Sequence, residues 1–122
     1  MGLRPHLLEW QWGIYEATHK NRRNLLLHAA TVPFFLAGTL ALVASPVLGL
    51  WLAPAGLLAM ALVMLLQGRT HRLEEVAPAP FLGTGDVLGR MLAEQWITFP
   101  RFVLSGAFGR AWKAAGATAE GA

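Results

Sequence analysis

The chain contains no cysteine. A disulfide scaffold, a zinc knuckle and a thiol nucleophile are thereby excluded. Charge is scarce as well. Only 14% of the 122 residues are Asp, Glu, Lys or Arg, against roughly 25% in ordinary soluble domains. Long basic runs are missing: the formal net charge is +3, and the densest basic cluster is Lys20, Arg22 and Arg23. A nucleic-acid binder shows a basic stripe beside a recognisable motif, so no nucleic-acid partner is expected. With 55% hydrophobic residues, the chain is too apolar to be disordered over most of its length.

The charge that exists is confined to the flanks. From Asn24 to Gly68 there is no Asp, Glu, Lys or Arg. A bilayer span needs about 20 predominantly apolar residues, so this run holds two spans and a tight connection. Ser45-Pro46 and Gly49 mark the break, because Pro and Gly punctuate turns. The spans are expected near 24–44 and 49–68, with Pro33 kinking the first. Before them, Arg4, Glu9, Glu16, Lys20, Arg22 and Arg23 leave no short apolar core, so no signal peptide is expected.

Lys20, Arg22 and Arg23 precede the first span, Arg69 and Arg72 follow the second, and the connection is uncharged. The positive-inside rule then puts both ends of the hairpin in the cytoplasm. A hairpin also returns its second end beside its first. The expected fold is therefore all-α: a membrane helical hairpin of two transmembrane helices, flanked by amphipathic interfacial helices. One domain covers 1–113, and 114–122 reads as a frayed, disordered tail.

Residues 5–19 have the spacing of an amphipathic helix, with Leu8, Trp12, Tyr15 and His19 on one stripe. After the hairpin, Pro78 and Pro80 force an extended linker. Residues 85–99 again look helical, and Pro100 is expected to interrupt them. The stretch 85–109 reads as interfacial or re-entrant, with Arg90, Glu94 and Arg101 toward headgroups. The oligomeric state is not legible.

An ionisable residue inside an apolar span is a functional-site hypothesis. His28 is such a residue, and it shares a helix face with Asn24 and Thr31. At the other end of the hairpin, Gln67, His71 and Glu75 follow at steps of four, with Glu74 three after His71. His19 lies close before the first span. Three histidines and one or two carboxylates thus converge at one membrane face, with His28 and His71 within about 8 Å of each other for a shared first-row metal. His6 is expected to be a bystander. Two His and a carboxylate with open positions suit non-haem Fe(II), and three His also suit zinc. Histidines that only cap helix ends or bond a backbone carbonyl would explain the same spacing. No phosphate loop or serine nucleophile is evident: Gly83-Thr84-Gly85 lacks a following Lys, and Ser45 and Ser105 lack a nearby His.

The stretch His19-x4-Asn24-x3-His28-x4-Pro33 resembles the first signature of the membrane 2-hydroxy fatty acid dioxygenase family, named for the metabolism of phytosphingosine to odd-numbered fatty acids. Gln67-x3-His71, a following Glu and Pro78-Ala79 resemble its second. The segment from Glu94 through Phe99-Pro100-Arg101 to Gly106 is similar to the end of a small bacterial branch. The likeness spans roughly 15–112. It departs at Thr31 and Thr70, where the family usually has Gly.

The resemblance implies an Fe(II)-dependent, O2-using enzyme of fatty acid α-oxidation. Its substrate would be a long-chain 2-hydroxy fatty acid held beside the lipid bilayer, and its product would be one carbon shorter. His19, His28 and His71 would be the metal ligands, with Glu74 or Glu75 as the carboxylate. Asn24 and Gln67 would support the ligands, and Lys20, Arg22 or Arg23 would pair with the substrate carboxylate. The alternative is a non-catalytic membrane hairpin that organises lipids or partners.

Overall fold

The structure is a computed structural model that describes residues 2–121, with side chains described to residue 117. Among the described residues it is all-helical, without a strand. Helix α1 spans Leu7–Tyr15, and a 3-10 turn, Glu16–Thr18, carries the chain to His19. Helices α2, Arg22–Leu48, and α3, Leu52–Thr70, form the hairpin, and a 3-10 turn, His71–Leu73, ends it. An extended linker leads to α4, Thr84–Ala93. A π-helical segment, Glu94–Thr98, joins α4 to α5, Phe99–Leu104, and α6 runs from Ala107 to Gly121. The tail expected to fray from Ala114 is thus helical as far as Gly121; Ala122 lies outside the described residues.

Both hairpin helices are long and apolar enough to cross a membrane. Only 28% of the most apolar stretch of α2, and 17% of that in α3 and its final turn, is buried inside the fold. Phe34, Val43, Leu58 and Leu65 all face outward. A soluble core helix would bury such residues.

The two helices touch backbone to backbone at Gly38 and Gly56. A Cβ on Gly38 would lie 2.8 Å from the Gly56 carbonyl oxygen, and one on Gly56 would collide with that of Gly38. Small residues at such a crossing let apolar helices approach closely where burial from water gives no drive. The reversal falls at Gly49, whose φ of 152° favours glycine, rather than at Ser45-Pro46. Those two residues stay in the last turn of α2, where Ser45 Oγ donates to the Leu42 carbonyl at 2.8 Å.

The flanking helices close over one end of the hairpin. Tyr15, Leu25, Val32, Phe99, Phe102 and Ala107 form the apolar core there, one or two residues from each of α1, α2, α5 and α6. Pro100 does not interrupt its helix. Proline returns no N–H and crowds the preceding turn. The widened turn before it absorbs that conflict, with the Phe99 N–H bonding the Glu94 carbonyl five residues back.

The N-terminal segment is pinned to the start of α4. Arg4 pairs with the buried Asp86 at 3.0 Å and stacks over Trp10 at 3.7 Å. Arg90, expected at headgroups, is instead buried; it donates to the Ala79 carbonyl at 2.9 Å and holds the linker. Burial lowers the Arg90 pKa, and the facing Asp86 offsets part of that fall.

Candidate metal centre

Three local features aim the histidines at one point. The 3-10 turn ends at His19, whose backbone leaves the helical region at φ −136° and ψ 64°. This swings the imidazole back toward α1. Its Nδ1 lies 2.8 Å from the Tyr15 carbonyl oxygen and 3.0 Å from Thr18 Oγ1. His28 is one turn into α2, and its Nδ1 lies 2.9 Å from the Asn24 carbonyl oxygen. His71 sits where α3 gives way to its final turn. The ring centroids are 4.8 Å apart for His19 and His28, 4.7 Å for His19 and His71, and 5.2 Å for His28 and His71. The expected convergence of three histidines is present, and His6 is exposed at the start of α1.

The carboxylate at this point is Glu94. Its Oε2 lies 3.3 Å from His19 Nε2 and 3.4 Å from His28 Nε2. One ligand atom from each of His19, His28, His71 and Glu94 falls within 4.8 Å of the others, and the group can hold a metal ion. Four ligands at about 2.1 Å around a tetrahedral centre stand roughly 3.4 Å apart. Both carboxylate–imidazole spacings match that edge.

Protonation makes the same point. A carbonyl oxygen only accepts, so Nδ1 of His19 and of His28 each carries the hydrogen. In the neutral ring Nε2 is then a lone pair. Both lone pairs face the Glu94 carboxylate, and His19 Nε2, His28 Nε2 and His71 Nδ1 are buried without a hydrogen-bond partner. Acceptors gathered this way repel unless positive charge lies between them. Protons on several rings packed within about 5 Å would repel one another in turn. A single divalent cation resolves the conflict. The backbone bonds on Nδ1 are the usual device that orients a ligating imidazole.

Burial, and after it the Glu94 charge, push the Tyr15 hydroxyl well above its usual value, so it keeps its proton and donates to Glu94.

The carboxylates expected from the sequence lie elsewhere. Glu74 accepts from the backbone N–H groups of Lys20 at 2.7 Å and Asn21 at 3.0 Å, and from Asn24 Nδ2 at 2.8 Å. It caps the start of α2 instead of facing the histidines. Glu75 is exposed. Helical extrapolation from His71 fails because the chain turns extended at Glu74, with ψ 144°. Glu94, expected at headgroups, was the missed residue. Its signal was available: it is the one acid between Asp86 and Glu120, set in an apolar helix beside Gln95.

The supporting residues also differ in role. Asn24 orients His28 through its carbonyl oxygen, while its side chain accepts from Thr70 Oγ1 at 2.7 Å. Gln67 bonds no histidine. It exchanges two hydrogen bonds with Gln95, at 3.1 and 2.7 Å, and donates to Thr31 Oγ1 at 3.0 Å. That ladder ties α3 to the π segment and so braces the turn that carries Glu94. Lys20, Arg22 and Arg23 line a cleft of about 1020 Å³ together with Glu74, Glu75, Val76 and α6. Arg22 is already engaged there, donating to the Trp112 carbonyl at 2.9 Å and stacking over its ring.

Comparison with protein-family models, with curated proteins and with solved structures finds no match to this chain.

Proposed function

We propose that the protein is a membrane-embedded, Fe(II)-dependent dioxygenase that shortens 2-hydroxy fatty acids by one carbon. The observation that carries this reading is the set of three imidazoles and one carboxylate, His19 and His28 buried and His71 and Glu94 half-buried, with three buried ring nitrogens lacking a hydrogen-bond partner. A His-and-carboxylate donor set suits Fe(II) used for O2 chemistry. The resemblance of His19-x4-Asn24-x3-His28 and Gln67-x3-His71 to the 2-hydroxy fatty acid dioxygenase signatures supplies the substrate class.

His19, His28, His71 and Glu94 would hold the metal. When bound, Fe(II) supplies O2 activation and a Lewis acid for the 2-hydroxy acid. The protein's own groups do the rest. Backbone carbonyls of Tyr15 and Asn24 hold the His19 and His28 rings with Nε2 inward. Phe99 and Phe102 wall the site against water. Lys20 and Arg23 stand at the neighbouring cleft, where a substrate carboxylate can pair with them. The outward-facing apolar surfaces of α2 and α3 suit a bilayer, which would deliver the acyl chain. Both hairpin ends lie on the cytoplasmic side in this reading, from Lys20, Arg22, Arg23, Arg69 and Arg72.

The reaction balances with one O2 per substrate. The C1–C2 bond breaks, C1 leaves as CO2, C2 becomes the new carboxyl, and water takes up the remaining oxygen and hydrogens. Protein reconstituted with lipid and Fe(II) should convert 2-hydroxypalmitate to the C15 acid with O2 consumption. Reconstituted protein that binds iron yet yields no shortened acid would contradict the activity while leaving the metal centre. Protein that binds no metal would favour a non-catalytic hairpin.

A further inference from the structure

Tyr15 is the one tyrosine in the chain, and it touches the histidine–carboxylate cluster in three ways. Its ring stacks on His19, with centroids 3.8 Å apart and planes 13° from parallel. Its carbonyl oxygen receives His19 Nδ1 at 2.8 Å. Its hydroxyl donates to Glu94 Oε2 at 2.7 Å. That oxygen is the one nearest both His19 Nε2 and His28 Nε2. Phe102, fully buried, packs edge-on against the Tyr15 ring at 5.0 Å, so the ring is held from its outer side too.

We propose that Tyr15 is a positioning residue of the metal centre, setting both the Glu94 oxygen that faces the metal and the plane of the His19 ring. The inference rests on the metal-centre reading above. A carboxylate can turn either oxygen, or both, toward a cation. The hydroxyl holds Oε2 in place beside the His19 and His28 nitrogens, so that the oxygen facing the metal is already ordered before the metal arrives. The stack keeps His19 from rotating about its Nδ1 anchor. One side chain thereby couples two ligands that come from opposite ends of the chain.

The test uses full-length protein in detergent and compares wild type with Tyr15→Phe and Phe108→Leu. Phenylalanine keeps the volume and the stack and removes only the hydroxyl. Co(II) binding is followed by its visible absorption, and Zn(II) affinity by chelator competition. Tyr15→Phe should weaken metal binding roughly 10–100-fold, as loss of a ligand's hydrogen-bond partner typically does. It should also shift the Co(II) bands, with helix content unchanged. Phe108→Leu, which loosens the core behind Phe102 but keeps the hydroxyl and the Tyr15 packing, should leave the bands in place. Identical spectra and affinities for wild type and Tyr15→Phe would overturn the positioning role and leave the metal centre standing. Equal shifts in both variants would overturn it too, since packing alone would then explain them. A wild type that takes up neither Co(II) nor Zn(II) would overturn the metal-centre reading itself.

Discussion

Glu94 Oε2 lies 3.4 Å from His28 Nε2, joining a residue one turn into the hairpin to a residue of the closing helix. The carboxylate of the cluster thus comes from outside the hairpin. Glu94→Gln should lower metal affinity sharply, because the neutral amide removes the one anionic ligand. Glu74→Ala should retain metal but lose about 1–2 kcal/mol of stability with the cap on α2. Glu75→Ala should change stability by no more than about 0.5 kcal/mol. Metal content and detergent melting curves of the three variants separate these outcomes.

The Gln67–Gln95 pair is buried and satisfied on both sides. Gln67→Leu alone strands the Gln95 amide and should cost about 1–3 kcal/mol. The double variant Gln67→Leu/Gln95→Leu removes both polar groups and should recover most of that loss. A double variant as unstable as the sum of its singles would show that the two amides are not coupled and would contradict mutual satisfaction.

The hairpin crossing makes a sharper contrast. A Cβ on Gly56 collides with the Gly38 carbonyl oxygen, whereas one on Gly68 meets nothing within 4 Å. Gly56→Ala should destabilise by about 1–3 kcal/mol as the helices are forced apart. Gly68→Ala should be neutral or stabilising by about 0.5–1 kcal/mol, since alanine is the better helix former. Thermal unfolding of the two variants reads the difference directly.

Much of this architecture was legible in the chain. The charge-free stretch from Asn24 to Gly68 announces the hairpin, and the spacing of His19, His28 and His71 announces their convergence. Such patterns are local, and helical periodicity converts them into faces. Glu94 was not legible in the same way. Its place in the cluster depends on the docking of the last helices across the hairpin and on a π turn ahead of Pro100. Glu74 misleads for the converse reason. The row through Gln67 and His71 points at it only while the helix continues, and the chain leaves the helix at that residue.

Stability should respond to acid through Asp86. Burial would raise its carboxyl, but hydrogen bonds from Arg4 and the Leu82 N–H, with the charges of Arg4 and Arg90, lower it below the usual value. A depressed folded value gives stabilisation that is complete above the unfolded value of about 3.9 and is lost as pH falls through the folded one. Asp86→Asn should therefore be less stable than wild type at neutral pH, and the gap should close below about pH 4. A gap that widens on acidification would contradict the assignment.

The central claim is that His19, His28, His71 and Glu94 form one metal centre. Elemental analysis of anaerobically purified, Fe(II)-loaded protein in detergent tests it most directly, with His28→Ala and His6→Ala measured alongside. The account predicts about one bound metal per chain in wild type and in His6→Ala, and loss of it in His28→Ala while the protein still partitions into membranes. Wild-type protein without stoichiometric metal, or a His28→Ala variant that keeps it, would contradict the account.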